Sequence, residues 1–294
     1  MYNKNLFYCL GGLFFLFFFY SLFFSIPKYF PVDVVFKVEQ GDTLRSISLH
    51  LKEAHVIRSR LAFESFVILY GGEKHLVFAD YLFDEKLPVW KIARRISRGE
   101  RNLAPVVVTI PEGFDAKQIA DLFVSKLDNF DKSQFLLKAE EGYLFPDTYF
   151  FFTTANEDDV LKSFNDNFNK KITPFLGEFI KIENTTGRSE QDIITMASII
   201  EREGKGDTDR EVISGILWKR IKLGIALQVD AAPETYKTKG LPKNPIANPG
   251  LEAIKAALYP QNSPYLYYLH DKNGEIHYAK TFAEHRQNIV KYLK

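Results

Sequence analysis

Ser189-Glu190-Gln191-Asp192-Ile193-Ile194-Thr195-Met196-Ala197-Ser198-Ile199-Ile200-Glu201-Arg202-Glu203 is the stretch on which the reading of this chain turns. A serine with an acid three residues on has the form of a capping box, each side chain satisfying a backbone N–H of the other, so a helix is predicted to start there. The apolar run after it predicts that the helix is packed. At about 100° per residue, Glu201 shares a face with Ile194 and Ala197, while Glu203 points to nearly the opposite side. One carboxylate is therefore expected to face the packed side and the other water. Desolvation disfavours the charged form, so an inward Glu201 should keep its proton to higher pH, as a general acid requires. The alternative is that Glu201 is the first residue to emerge, its stem packed and its carboxylate wet.

Outward from this helix, the segments read as a mixed α+β body. Residues 209–223 predict a following helix stopped by Gly224, and Leu227-Gln228-Val229-Asp230 an extended piece with both polar side chains on one face, placed to line a cleft. A Pro/Gly loop, residues 240–250, leads into a helix at Leu251. Tyr265-Leu266-Tyr267-Tyr268-Leu269, a turn at residues 271–274 and His277-Tyr278-Ala279 read as a β-hairpin, with a closing helix over residues 282–293. Upstream, Val106-Val107-Val108-Thr109-Ile110 is a β-branched strand, residues 115–127 an amphipathic helix and residues 157–171 a long polar one. The stretch Glu141-Gly142-Tyr143-Leu144-Phe145-Pro146-Asp147-Thr148-Tyr149-Phe150 is denser in aromatics and turn formers than a connector needs.

Residues 31–99 read as a separate small unit of strand, turn and three helices. Its Gly41-Asp42-Thr43-Leu44 resembles the start of a LysM module, a small glycan-binding fold, although a turn glycine followed by an N-cap threonine explains the same residues. Residues 6–26 carry no charge and are mostly Phe and Leu; as a helix they would be about 31 Å long, enough to cross a hydrocarbon core. The flank Phe24-Ser25-Ile26-Pro27-Lys28 has no small-x-small cleavage pattern, so the run predicts an uncleaved anchor behind a cytoplasmic tip of residues 1–5. The catalytic domain is assigned to residues 100–294.

With 38 basic and 37 acidic side chains the chain has no basic field for nucleic acid. The single cysteine, Cys9, lies in the predicted span, so the body has neither disulfide nor thiol chemistry. The six histidines show no metal-ligand spacing, and no glycine-rich phosphate loop occurs. No cofactor is expected.

Pro111-Glu112-Gly113-Phe114, the aromatic stretch from Glu141 to Tyr149, Ala197-Ser198-Ile199-Ile200-Glu201-Arg202-Glu203, Leu227-Gln228-Val229-Asp230, Asn248-Pro249-Gly250 and Ser263-Pro264-Tyr265-Leu266-Tyr267 occur in the order seen in the endolytic murein transglycosylases, the YceG-like family, which the chain closely resembles. That resemblance implies a membrane-anchored enzyme cleaving peptidoglycan glycan strands beside their synthases at the outer face of the cytoplasmic membrane, without cofactor or metal. It implies Glu201 as the single catalytic acid and base, with Gln228, Asp230, Tyr143, Glu141 and Asn248 as substrate-binding residues. Two departures stand out: the stretch between Asp230 and Gly240 is short, and Val229 and Ala231-Ala232 replace the family's small polar residue and Pro-Thr. A muramidase with Asp230 or Glu141 as second carboxylate, and a non-catalytic wall-binding scaffold, are the rival classes.

Overall fold

A computed structural model describes residues 10–14, 17, 20, 21, 23–39, 41–204 and 207–293. Nine of the 21 residues of the predicted span, 6–9, 15, 16, 18, 19 and 22, therefore lie outside the described residues, among which no helix is long and apolar enough to cross a membrane. The chain divides after Ala104 into two units.

In the first unit β1 (Val34–Lys37) pairs antiparallel with β2 (Asp80–Phe83), Val34 opposite Phe83. Helices α1 (Leu44–Glu53), α2 (Arg60–Leu69) and α3 (Val89–Arg98) pack against them. Thr43 caps α1 in a capping box with Ser46, and Gly99 ends α3 in the left-handed conformation at φ 69°. The core holds Ile47, Leu51, Phe63, Tyr81, Phe83 and Ile92.

The second unit is mixed α+β around two cores. In the first, β3 (Val106–Thr109) pairs antiparallel with β4 (Thr148–Phe151), and both are covered by α4 (Ala116–Val124), α5 (Lys132–Lys138) and α6 (Glu157–Ile172). Phe123 meets the rings of Phe151 and Phe164 edge-on there, an arrangement aromatic quadrupoles favour. The aromatic stretch thus supplies a strand: Tyr149 and Phe151 face the core, and Phe150 faces out.

The second core surrounds α8 (Glu190–Glu203), with α7 (Leu176–Thr186), α9 (Asp207–Lys222) and α10 (Leu251–Leu258) around it. Ser189 caps α8 in the expected box with Asp192. Every residue from Ile193 to Ile200 is buried, polar Thr195 and Ser198 included. A helix enclosed on all sides has no wet face to offer. The expectation that Glu201 turns inward while Glu203 turns to water assumed a helix packed on one side, and the structure corrects it: Glu201 is enclosed, and Glu203 is half-buried against a different wall rather than free in water. The chain closes with the hairpin β5 (Tyr267–His270) and β6 (Ile276–Ala279), and α11 (Phe282–Tyr292).

Candidate active site

Glu201 leaves the last turn of α8 toward the start of α10. Its side chain is 5% exposed; Oε2 accepts the Gly250 N–H at 2.9 Å and Oε1 accepts from Arg210 Nη2 at 2.9 Å. Gly250 is the N-cap of α10 and has no side chain to cap with, so the Glu201 carboxylate satisfies an amide that the helix leaves free and sits at its positive end. A Cβ at Gly250 would fall 1.8 Å from Glu112 Oε1, so a side chain there would displace the Glu112 carboxylate from its place beside Arg210. Arg210 also lies 3.8 Å from Glu112, whose side chain is half exposed, so the guanidinium links two acids of the site.

Behind this trio, Asn248 ties the loops together. Its Oδ1 accepts the N–H groups of Gly142 at 2.8 Å and Leu144 at 2.9 Å, while Nδ2 donates to Phe114 O at 3.0 Å and Glu141 Oε1 at 2.6 Å. All four hydrogen bonds of the amide are spent and the residue is fully buried, so Asn248 holds these loops in position. Glu141 is similarly engaged: Oε2 accepts the Ala116 N–H at the first turn of α4, and burial pushes its carboxyl above the ordinary value. Asn248 and Glu141, expected to bind substrate, are held in this structure by contacts within the protein. Tyr143 packs its ring 4.9 Å from Phe168 and lines a hollow of about 450 Å³ with Glu141, Gln191 and Pro245. Gly142 beside it, at φ 92°, would place a Cβ 2.6 Å from Pro245 and 2.8 Å from Ile194, so the loop can approach α8 only with glycine.

Glu203 faces the opposite wall. Its carboxylate accepts the Ala231 N–H at 3.3 Å and the Tyr268 hydroxyl at 3.1 Å, and it lines an open cavity of about 460 Å³. Burial above all, and then the nearby Asp230 charge, push this carboxyl above its ordinary value against hydrogen bonds that oppose the rise. The expected Gln228 and Asp230 lie in this cavity, not beside Glu201. Leu227-Gln228-Val229-Asp230 does alternate, with Leu227 and Val229 buried and the polar pair exposed, but it is not a strand. Gln228 stands at φ 51°, a left-handed conformation costly for a residue with a side chain, and it accepts from Arg220 Nη2 at 2.7 Å. Asp230 holds the Tyr236 hydroxyl at 2.6 Å, which drives that phenol up to about 12.

Sequence reasoning missed Arg210, Arg220, Tyr236 and Tyr268 as site residues. The aromatic motif at residues 265–267 pointed to the neighbourhood of Tyr268, whereas nothing in the spacing marked either arginine. It also missed a grouping at the hairpin turn, where Asp271, Glu275 and His277 bring possible metal-ligand atoms within 4.8 Å of one another. Asp271 spends itself there on the N–H groups of Asn273 and Glu275 and on His277, which are the contacts of a turn. A further cavity of about 790 Å³ lies at the far end of α8 between Arg188, Trp218 and Lys243 and contains none of the predicted site residues.

A glutamate held at a helix N-terminus by an arginine, with a polar cavity on the other side of the same turn, is the densest grouping of carboxyl groups among the predicted site residues. The chain belongs to the YceG-like family, whose profile matches residues 36–234 and 233–291. It is similar to the endolytic murein transglycosylase of Bacillus subtilis, 26% identical over 93% of this chain and 88% of that protein. It is also 24% identical to the endolytic murein transglycosylase of Streptococcus pneumoniae, over 90% of this chain and 60% of that one. Among solved structures, the YceG-like protein of Listeria monocytogenes shares 27% identity and a TM-score of 0.57, covering 86% of this chain and 98% of the other.

Proposed function

We propose that the protein is a lytic transglycosylase that cleaves the glycan strands of peptidoglycan within the chain, leaving 1,6-anhydro-muramic acid ends, with Glu201 as general acid and base. The observation that carries this reading is the placement of Glu201 in a family whose relatives bear that activity in their names: nearly closed from water, fixed by Gly250 and Arg210, at the end of the most enclosed helix.

In the reaction, Glu201 protonates the glycosidic oxygen. As a carboxylate it then takes the proton of the muramic acid 6-hydroxyl while that oxygen attacks its own anomeric carbon. The nucleophile is tethered to the reacting sugar, so proximity replaces the second activated group that most glycosidases carry. Each Glu201 oxygen accepts one hydrogen bond in the resting arrangement, and loosening of the Arg210 contact as substrate enters would favour the protonated acid while Gly250 holds the other oxygen. Glu112, 3.8 Å away, offers Arg210 a second acid partner.

The uncharged run of residues 6–26 anchors the chain, with the tip inside and the body outside the cytoplasmic membrane; the exposed side chains of Leu10, Leu13, Phe14 and Phe17 supply the apolar surface such an anchor needs. Residues 31–99 form the LysM-like unit, and the anchored body works beside peptidoglycan synthases on new strands.

A second reading is favoured by one observation: Glu203, not Glu201, lines an open cavity with its carboxyl pushed up. Mass spectrometry of the products formed by the full chain on purified peptidoglycan tests the reaction, because anhydro ends mark a lytic transglycosylase and reducing ends a muramidase. Glu201→Gln and Glu203→Gln in the same assay assign the acid: complete loss at Glu203 alone would transfer the role.

A further inference from the structure

The cavity beside Glu203 contains two buried polar atoms with no partner. Arg220 is 5% exposed and carries no carboxylate in ion-pair contact; Nη2 donates to Gln228, while Nε has no hydrogen bond. His285 Nδ1 is likewise buried and unpartnered. The two side chains flank Tyr267, whose ring centroid is 5.4 Å from the Arg220 guanidinium and 5.3 Å from the His285 ring. An orphaned buried donor is costly and persists where something else completes it. The backbone adds an independent sign, since Gln228 keeps a left-handed conformation only because its surroundings, the Arg220 hydrogen bond included, hold it there.

The charge of the cavity decides what completes the pair. Glu203 and Asp230 against Arg220 give a surplus of negative charge, which disfavours a carboxylate or phosphate ligand. A neutral acceptor fits Arg220 Nε. Burial and the Arg220 charge lower the proton affinity of His285, so the neutral imidazole has one nitrogen able to accept. One donor and one acceptor, side by side around an aromatic ring, match the C=O and N–H of a secondary amide. At the lip, Tyr236 is 51% exposed and its hydroxyl is bound to Asp230, leaving a fixed ring face of the kind a pyranose stacks on.

We infer that this cavity is the subsite for an N-acetylated amino sugar, with Arg220 and His285 reading the 2-acetamido group, Gln228 holding Arg220 in place and Tyr236 supporting the ring. The inference rests on the reading of the protein as a peptidoglycan glycan cleaver and assigns part of that substrate to named residues.

The test is calorimetric titration of the full chain in detergent micelles with N-acetylchitotetraose and with cellotetraose, which differ only in the acetamido group. N-acetylchitotetraose should bind at least about tenfold more tightly, the worth of one or two hydrogen bonds to a buried charged donor. Gln228→Gly removes the partner of Arg220 while suiting the left-handed backbone, so it should keep the unfolding midpoint and abolish the preference. Arg220→Lys should abolish it as well. Equal binding of the two sugars, or absence of binding, overturns the inference. So does a preference that survives Gln228→Gly, which would place recognition elsewhere on the chain. The two readings fail separately: hydrolytic products with the preference intact sink only the transglycosylase, whereas anhydro products without it sink only this subsite.

Discussion

Arg210 Nη2 donates to Glu201 Oε1 at 2.9 Å, joining the first turn of α9 to the last turn of α8 at the point where the chain leaves the enclosed helix. The arginine side chain is 14% exposed, so it covers the acid it binds. The pair orients Glu201.

Glu201→Gln should abolish glycan cleavage and leave the fold intact. The amide preserves the shape and the Gly250 contact but has no acidic proton to give, and general acid catalysis contributes about 10²- to 10⁴-fold. Release of anhydro-muropeptides, followed alongside the thermal midpoint, measures both. A folded variant with most of its activity would remove Glu201 from the role.

Glu203→Gln should have opposite effects on stability and activity. The folded carboxyl is raised by burial, so between the unfolded and folded values the native state holds more protons than the unfolded one. Its contribution to stability is therefore complete below the ordinary glutamate range and is lost as pH rises through the folded value. A neutral glutamine removes that loss, and the variant's unfolding midpoint should gain on the wild type as pH rises above the ordinary glutamate range. Cleavage should fall by about tenfold, mostly through KM, because a hydrogen bond in the cavity is weakened rather than the acid removed. A variant equal to wild type in pH-dependent stability would contradict the half-buried Glu203.

Asn248→Ala should destabilise strongly. It strands the N–H groups of Gly142 and Leu144 and loosens Glu141, at roughly 3 kcal/mol or more in total. For a unit of this size that corresponds to a drop of roughly 6 to 12 °C in Tm. Calorimetry decides, and a midpoint within two degrees or so of wild type would show that the loops do not depend on the amide.

Removing residues 1–30 should leave cleavage of isolated glycan nearly unchanged and strongly reduce the effect in cells, because a short tether restricts where the body can search. Full complementation by a secreted, unanchored body at matched abundance would refute the anchor's proposed role.

Local signals in the sequence were legible where one residue's chemistry decides the outcome. The Ser189 box started α8, Thr43 capped α1, and the alternation in residues 227–230 separated buried from exposed side chains. Helices α5 and α7 went unread: α5 is only seven residues long, and α7 follows directly on a 3-10 turn at Thr173–Phe175 with no strong boundary signal. The site was half legible. Helix phase turned Glu201 inward, but phase says nothing of what stands on the other side of the helix, so the partial burial of Glu203 was hidden. Arg210 and Arg220 reach their partners by tertiary packing, and their neighbours in sequence carry no trace of it. Nothing in the Pro/Gly loop around Asn248 announces that its amide ties Gly142, Leu144, Phe114 and Glu141 together; only the fold discloses it.

The enclosure of α8 also sets the order in which the molecule comes apart. Amides from Ile193 to Ile200 lie in the densest part of the unit and should exchange with deuterium only when the whole unit opens, whereas Glu201 and Glu203 occupy the final turn, where fraying begins. Mild denaturant should therefore silence the enzyme while the centre of its helix is still fully protected, so loss of activity would report a single released turn rather than an unfolded protein.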